Sequence, residues 1–204
     1  MRIRLAGLVT VAALLPAGRV SGQVPWESPL LVGPGSPSGL SILLVDPGAG
    51  IGVLAHWTGR RRNTRTGFRI GVAEEGGPGD DLAVFGGLDI SGLLMTHSEE
   101  FPLDLAWVGG VGAGVGDNVL VSIPFGISFG RVLTDREVWF HPYVAPRFIV
   151  DAYLGDGNRD DLELGFALDL GADFAFSGSW AFRFGAAVGD RDGLAVGVVI
   201  PTGD

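Results

Sequence analysis

The feature that most constrains this chain is a strict alternation of residue size and polarity over residues 162–176. Leu162, Leu164, Phe166, Leu168, Leu170, Ala172, Phe174 and Phe176 fall on one face, with Glu163, Gly165, Ala167, Asp169, Gly171, Asp173 and Ala175 on the other. Side chains that change sides at every residue belong to a β-strand, and no helix produces that period. The pattern recurs over residues 68–73, 82–91, 103–112, 119–130, 138–151, 180–188 and 194–200. Two further candidate strands lie upstream, near residues 40–45 and 51–57. Turn-forming Gly, Asp, Asn, Pro and Ser residues separate the segments at 46–50, 76–81, 116–118, 155–158, 177–178 and 189–193. Connections this short leave no room for a crossover helix, so sequential strands must pair antiparallel. Pro142 and Pro146 interrupt the donors of one segment and predict a bulge or a rim there.

The composition of the second face decides which face points inward. A soluble barrel needs long polar side chains outside, whereas here the face opposite Leu, Val, Ile, Phe and Trp is mostly Gly, Ala and Ser. Single Asp, Glu and Arg residues punctuate it, and the chain holds 35 Gly among 204 residues. Small residues with sparse charges suit a narrow lumen, and an unbroken apolar face suits hydrocarbon. Closure also removes edge strands that such a sheet would otherwise expose. The expected fold is therefore all-β: an antiparallel up-and-down transmembrane β-barrel of 8 to 10 strands with short turns.

The first 22 residues read as an address. Arg2 and Arg4 precede an apolar run over residues 5–17, and small residues follow at Ser21 and Gly22. That is the layout of a secretory signal peptide cleaved near Gly22, and its apolar run is too short to span a bilayer as a helix. Residues 23–37, rich in Pro and Gly, read as an irregular lead-in, and residues 38–204 as the barrel. The signal peptide, the absence of Cys, the Gly-rich alternating strands, the tight turns and a last strand over residues 193–200 resemble the small outer-membrane β-barrel proteins of diderm bacteria. That resemblance implies a bacterial outer-membrane location, with membrane lipid and the barrel assembly machinery as partners. The chain ends Ile200-Pro-Thr-Gly-Asp204, without the terminal aromatic residue common in that class.

Charge removes other classes. A net charge of −9, with every basic residue an Arg, disfavours a nucleic-acid partner. Zero Cys excludes disulfides, thiolate metal sites and a Cys nucleophile. The inferred lumen face collects Arg69, Asp89, Asp104, His141, Arg147, Asp151, Glu163, Asp169, Asp173 and Arg183, an acidic-leaning set. Buried charges must pair, so these predict a lumen network. Asp169 and Asp173 stand about 13 Å apart along one strand and need partners from neighbouring strands. Counted back from the C-terminus, the turns at 76–81, 116–118, 155–161 and 189–193 share one end, and all carry Asp. Asp156, Asp160, Asp161, Asp190 and Asp192 are the candidates there for a divalent cation, since hard cations take oxygen ligands. The opposite end holds Arg60, Arg61, Arg62 and Arg65 with the His97-Ser98-Glu99 turn. Neither that turn nor the glycine run over residues 109–116 carries the spacing of a triad or a phosphate loop, so no catalytic residue and no cofactor is expected. The function expected is a structural or surface-contact role, or at most a narrow, porin-like pore. The alternatives are a barrel enzyme acting on lipid or peptide, and a soluble secreted or periplasmic barrel binding a small apolar ligand.

Overall fold

The computed structural model describes residues 24–48, 50–75, 81–135, 138–154, 162–177 and 179–202. The expected signal peptide and the carboxylates Asp156, Asp160 and Asp161 lie outside the described residues. Among the described residues eleven strands form: β1 (Gly39–Asp46), β2 (Gly52–Arg61), β3 (Thr64–Glu74), β4 (Leu82–Met95), β5 (Asp104–Val115), β6 (Val119–Gly130), β7 (Leu133–Asp135), β8 (Val138–Leu154), β9 (Leu162–Ser177), β10 (Trp180–Gly189) and β11 (Gly193–Pro201). All pairings are antiparallel between sequence neighbours, except that β1 pairs with β11 and β6 with β8. Those two pairings close a ten-stranded barrel. The three-residue β7 stands outside the ring, paired to the start of β8. Both upstream candidates are ring strands, so the count falls at the upper limit of the expected 8 to 10.

Pro142 and Pro146 make no bulge. The ladder from β8 to β9 runs in one register from Trp139 to Ala152, straight through both prolines. Their missing donors fall on the β6 side: Pro142 turns its carbonyl there, to Arg131 N at 3.3 Å, and the β6–β8 ladder skips Ile127 and Ser128. N–H and C=O of one residue point to the same neighbour in an antiparallel sheet, so a proline costs one ladder and spares the other.

Alternation translates directly into burial. Along β1 the pattern is inward for Gly39, Ser41, Leu43 and Val45, and outward for Leu40, Ile42, Leu44 and Asp46. Phe125, Phe148 and Phe166, side by side on neighbouring strands, are 45–48% exposed on the outer face. The barrel therefore carries its bulky apolar residues outside.

Residues 24–38 fill the interior. They have no regular secondary structure, yet Val24, Trp26, Leu30, Leu31 and Val32 are buried with Leu43, Leu54, Phe85 and Val108 in one apolar cluster. The segment enters beside Gly114, next to the β5–β6 turn, and leaves where the Ser38 carbonyl accepts Thr202 N at 3.2 Å. It thus crosses the lumen end to end before turning into β1. Trp26 is the largest piece of this plug. Its ring lies against Gly87, Gly110 and Gly112, where a Cβ would collide with it, and its Nε1 donates to the Ser122 carbonyl at 3.0 Å. Eight-stranded barrels are filled by their own side chains, whereas a wider ring lined by Gly, Ala and Ser needs added volume.

Candidate functional site

The inward charges arrive on neighbouring strands and bond around the plug in three groups. In the first, Asp89 on β4 accepts from His56 Nε2 at 3.0 Å and Arg69 Nη2 at 3.4 Å. Gly67, opposite Asp89 in the ladder, leaves the space that the carboxylate fills. Arg69 also donates to the Pro29 carbonyl at 3.1 Å and to the Leu30 carbonyl, and lies over the Trp26 ring at 5.3 Å.

In the second group Asp169 on β9 takes a two-pronged bond from Arg147 on β8, Nε to Oδ2 at 2.5 Å and Nη2 to Oδ1 at 3.2 Å. Leu30 N of the plug donates to the same carboxylate at 3.4 Å. Arg147 continues to Glu27 at 3.4 Å, which also accepts from Arg191 Nε at 3.1 Å. Arg191 reaches Asp151 as well, and Ser122 Oγ donates to that carboxylate at 2.6 Å. Arg191 lies in the β10–β11 turn; burial works against its charge, but Glu27 and Asp151 outweigh it and raise its pKa above the ordinary arginine value.

In the third group Arg183 on β10 holds Asp173 on β9 by Nε to Oδ1 at 2.6 Å and Nη2 to Oδ2 at 3.2 Å. Arg183 also bonds Ser41 Oγ and the Pro37 carbonyl. His141 lies 3.7 Å from Asp173, meets Ser36 Oγ at 3.3 Å, accepts Gly35 N at 3.2 Å and stacks on Tyr143. Every group thus ties two or more strands to the plug.

Of the ten residues singled out for the lumen, eight are buried inside: Arg69, Asp89, His141, Arg147, Asp151, Asp169, Asp173 and Arg183. The other two stand apart. Asp104 has the inward parity but sits at the barrel mouth, bonded to the exposed His97 at 2.8 Å. Glu163 is exposed, because β9 extends past the ring there. The acidic lean expected for the lumen narrows without them. Among the described residues the interior sets Glu27, Glu75, Asp89, Asp151, Asp169 and Asp173 against Arg65, Arg69, Arg147, Arg183 and the partly buried Arg191, which leaves a slight acidic excess.

At the acidic end, carboxylates hold turns. Asp190 accepts Phe166 N at 2.8 Å, Glu74 accepts Ile51 N at 3.4 Å and Glu75 accepts Asp117 N at 3.0 Å. Asp192 is exposed and contributes its backbone carbonyl to Ser28 Oγ. Among the described residues no three His, Asp or Glu converge as a metal site requires. The His97-Ser98-Glu99 segment is a turn, closed by Ser98 N to the Phe101 carbonyl at 2.8 Å. His56 and Asp89 pair as in a charge relay, but both side chains are sealed from solvent, so no substrate reaches them.

His56, Glu27, Arg65 and Arg191 complete the network and were not singled out for it by the sequence. His56 had a usable signal, since it shares inward parity with Leu54 and Thr58 on β2. Glu27 and Arg191 sit in irregular segments, where no period exists to place them. Comparison with known proteins adds no relative: no family model, no curated protein and no solved structure matches this chain.

Proposed function

We propose that the protein is an outer-membrane β-barrel of the bacterial cell envelope, closed by its own N-terminal segment and serving a structural or surface-contact role. One observation carries this reading: the outer face is apolar around the ring, with Leu44, Val53, Ile70, Leu88, Val111, Phe125, Phe148, Phe166, Phe184 and Val196, one from each ring strand, all at least 45% exposed. Monomeric soluble proteins rarely leave apolar patches of more than a few hundred Å² in water. The ring strands, 8 to 17 residues long, bracket the ~9–11 residues that span a bilayer.

The interior argues against a standing pore. A conducting lumen keeps its charges wet, whereas Trp26, Arg69, Arg147 and Arg183 are at most 1% exposed. The plug also occupies the space in which a small apolar ligand of a soluble barrel would sit. The test is cell fractionation with gel mobility of unheated and boiled detergent extracts. Recovery with the outer membrane, and a folded band that shifts on boiling, is the expected outcome. A protein recovered in the soluble fraction without detergent would refute the reading.

A further inference from the structure

We infer that the mouth of the barrel at the β2–β3 hairpin is a binding site for a phosphoryl oxyanion. A cavity of about 180 Å³ lies there between the hairpin, the plug and β4, and its polar walls are Arg60, Arg62, Asn63, Thr64, Arg65 and Ser91. That is room for several waters at about 30 Å³ each, and hence for a tetrahedral oxyanion.

Three guanidinium groups converge on this space, and among the described residues no carboxylate lies within 4 Å of any of them. The contrast with the interior is complete, since Arg69, Arg147, Arg183 and Arg191 each have an acidic partner. Arg65 is the central group. It is 5% exposed, its Nη1 donates to the Gly33 carbonyl at 3.3 Å, and its buried Nη2 has no partner. A buried charged donor left unbonded is costly, which marks Arg65 as a cation without its counter-charge.

Arg60 spends one nitrogen on the Ser36 carbonyl at 3.4 Å, which fixes its side chain over the same space. Arg62 sits in the two-residue turn at φ 56°, a left-handed conformation that bulky residues seldom adopt. Strain of this kind gathers where a side chain is held for a purpose. Arginine's forked donors match the oxygens of a phosphoryl group. The site opens at the aqueous mouth and does not depend on what surrounds the barrel, so its failure and that of the membrane reading are separable.

The experiment titrates inorganic phosphate into the full-length protein in neutral detergent and follows binding by calorimetry, with sodium chloride at matched ionic strength as control. A second arm compares thermal stability in phosphatidylglycerol and phosphatidylcholine nanodiscs. Wild type should bind phosphate, and Arg62→Gln should bind about tenfold more weakly. Arg62 is exposed, so this variant should keep the unliganded thermal midpoint of wild type. Arg65→Gln provides a second, buried probe. Phosphate binding identifies a free phosphate compound as ligand; a response confined to phosphatidylglycerol, and lost in Arg62→Gln, identifies a lipid headgroup phosphate. No response in either arm, an equal response to chloride, or binding that survives both substitutions would overturn the proposal.

Discussion

Asp169 shows how much a single interior charge carries. Its two oxygens hold Arg147 from the adjacent strand, and one of them also accepts Leu30 N from the plug. Replacing it by Asn preserves the shape and leaves Arg147 with Glu27, at 3.4 Å, as its only acidic partner among the described residues. Breaking a buried ion pair from one side costs about 3–5 kcal/mol. Asp169→Asn should therefore lower unfolding stability in detergent by that order, read from urea titration followed by tryptophan fluorescence. An unchanged midpoint would show that the pair holds nothing. At this scale the strand residues of the network were legible, because parity alone assigns Asp169, Asp173, Arg147 and Arg183 to one side. Their pairing was not, since it depends on register across strands. Asp104 and Glu163 mark the limit of parity, which tells the side of a residue but not its height along the barrel.

Among elements, the plug is the one whose role the sequence concealed. Residues 24–38 are irregular, as their Pro and Gly content suggests, but lack of periodicity says nothing about burial. Trp26, Leu30, Leu31 and Val32 were the available signal: a cluster of large apolar residues in a segment expected to be an irregular lead-in. The glycines at 87, 110 and 112 complement them, and their use became visible only with the ring closed around Trp26. Trp26→Ala removes the ring, its bond to the Ser122 carbonyl and its contact with Arg69. The expected loss is about 3–5 kcal/mol, measured as a shift in the guanidinium midpoint of the detergent-solubilised barrel. From the other side, Gly112→Ala adds a methyl against Trp26 and the Gly87 backbone. Overpacking of that kind should cost about 1–3 kcal/mol in the same titration, and a neutral result would place the Trp26 ring elsewhere.

For the whole molecule the inside-out distribution of residues is the governing fact. Small residues and paired charges face the lumen, a plug completes the filling, and the apolar residues that a soluble protein would bury are left outside. Phe166, on the outer face beside Phe148, is the sharpest point at which to challenge this arrangement. Phe166→Arg puts a charge on the apolar outer face and should destabilise the inserted barrel or abolish insertion. Normal assembly and stability of that variant would mean that water bathes the outer face. The most direct measurement follows from the absence of native Cys. Single Cys residues placed at 163–171 in turn, spin-labelled in reconstituted vesicles, report contact with oxygen in lipid or with a nickel complex in water. The expected result is high oxygen and low nickel accessibility at 164, 166, 168 and 170, with neither reagent reaching 167 or 169. High nickel accessibility at 166 would contradict the assignment of the outer face to lipid.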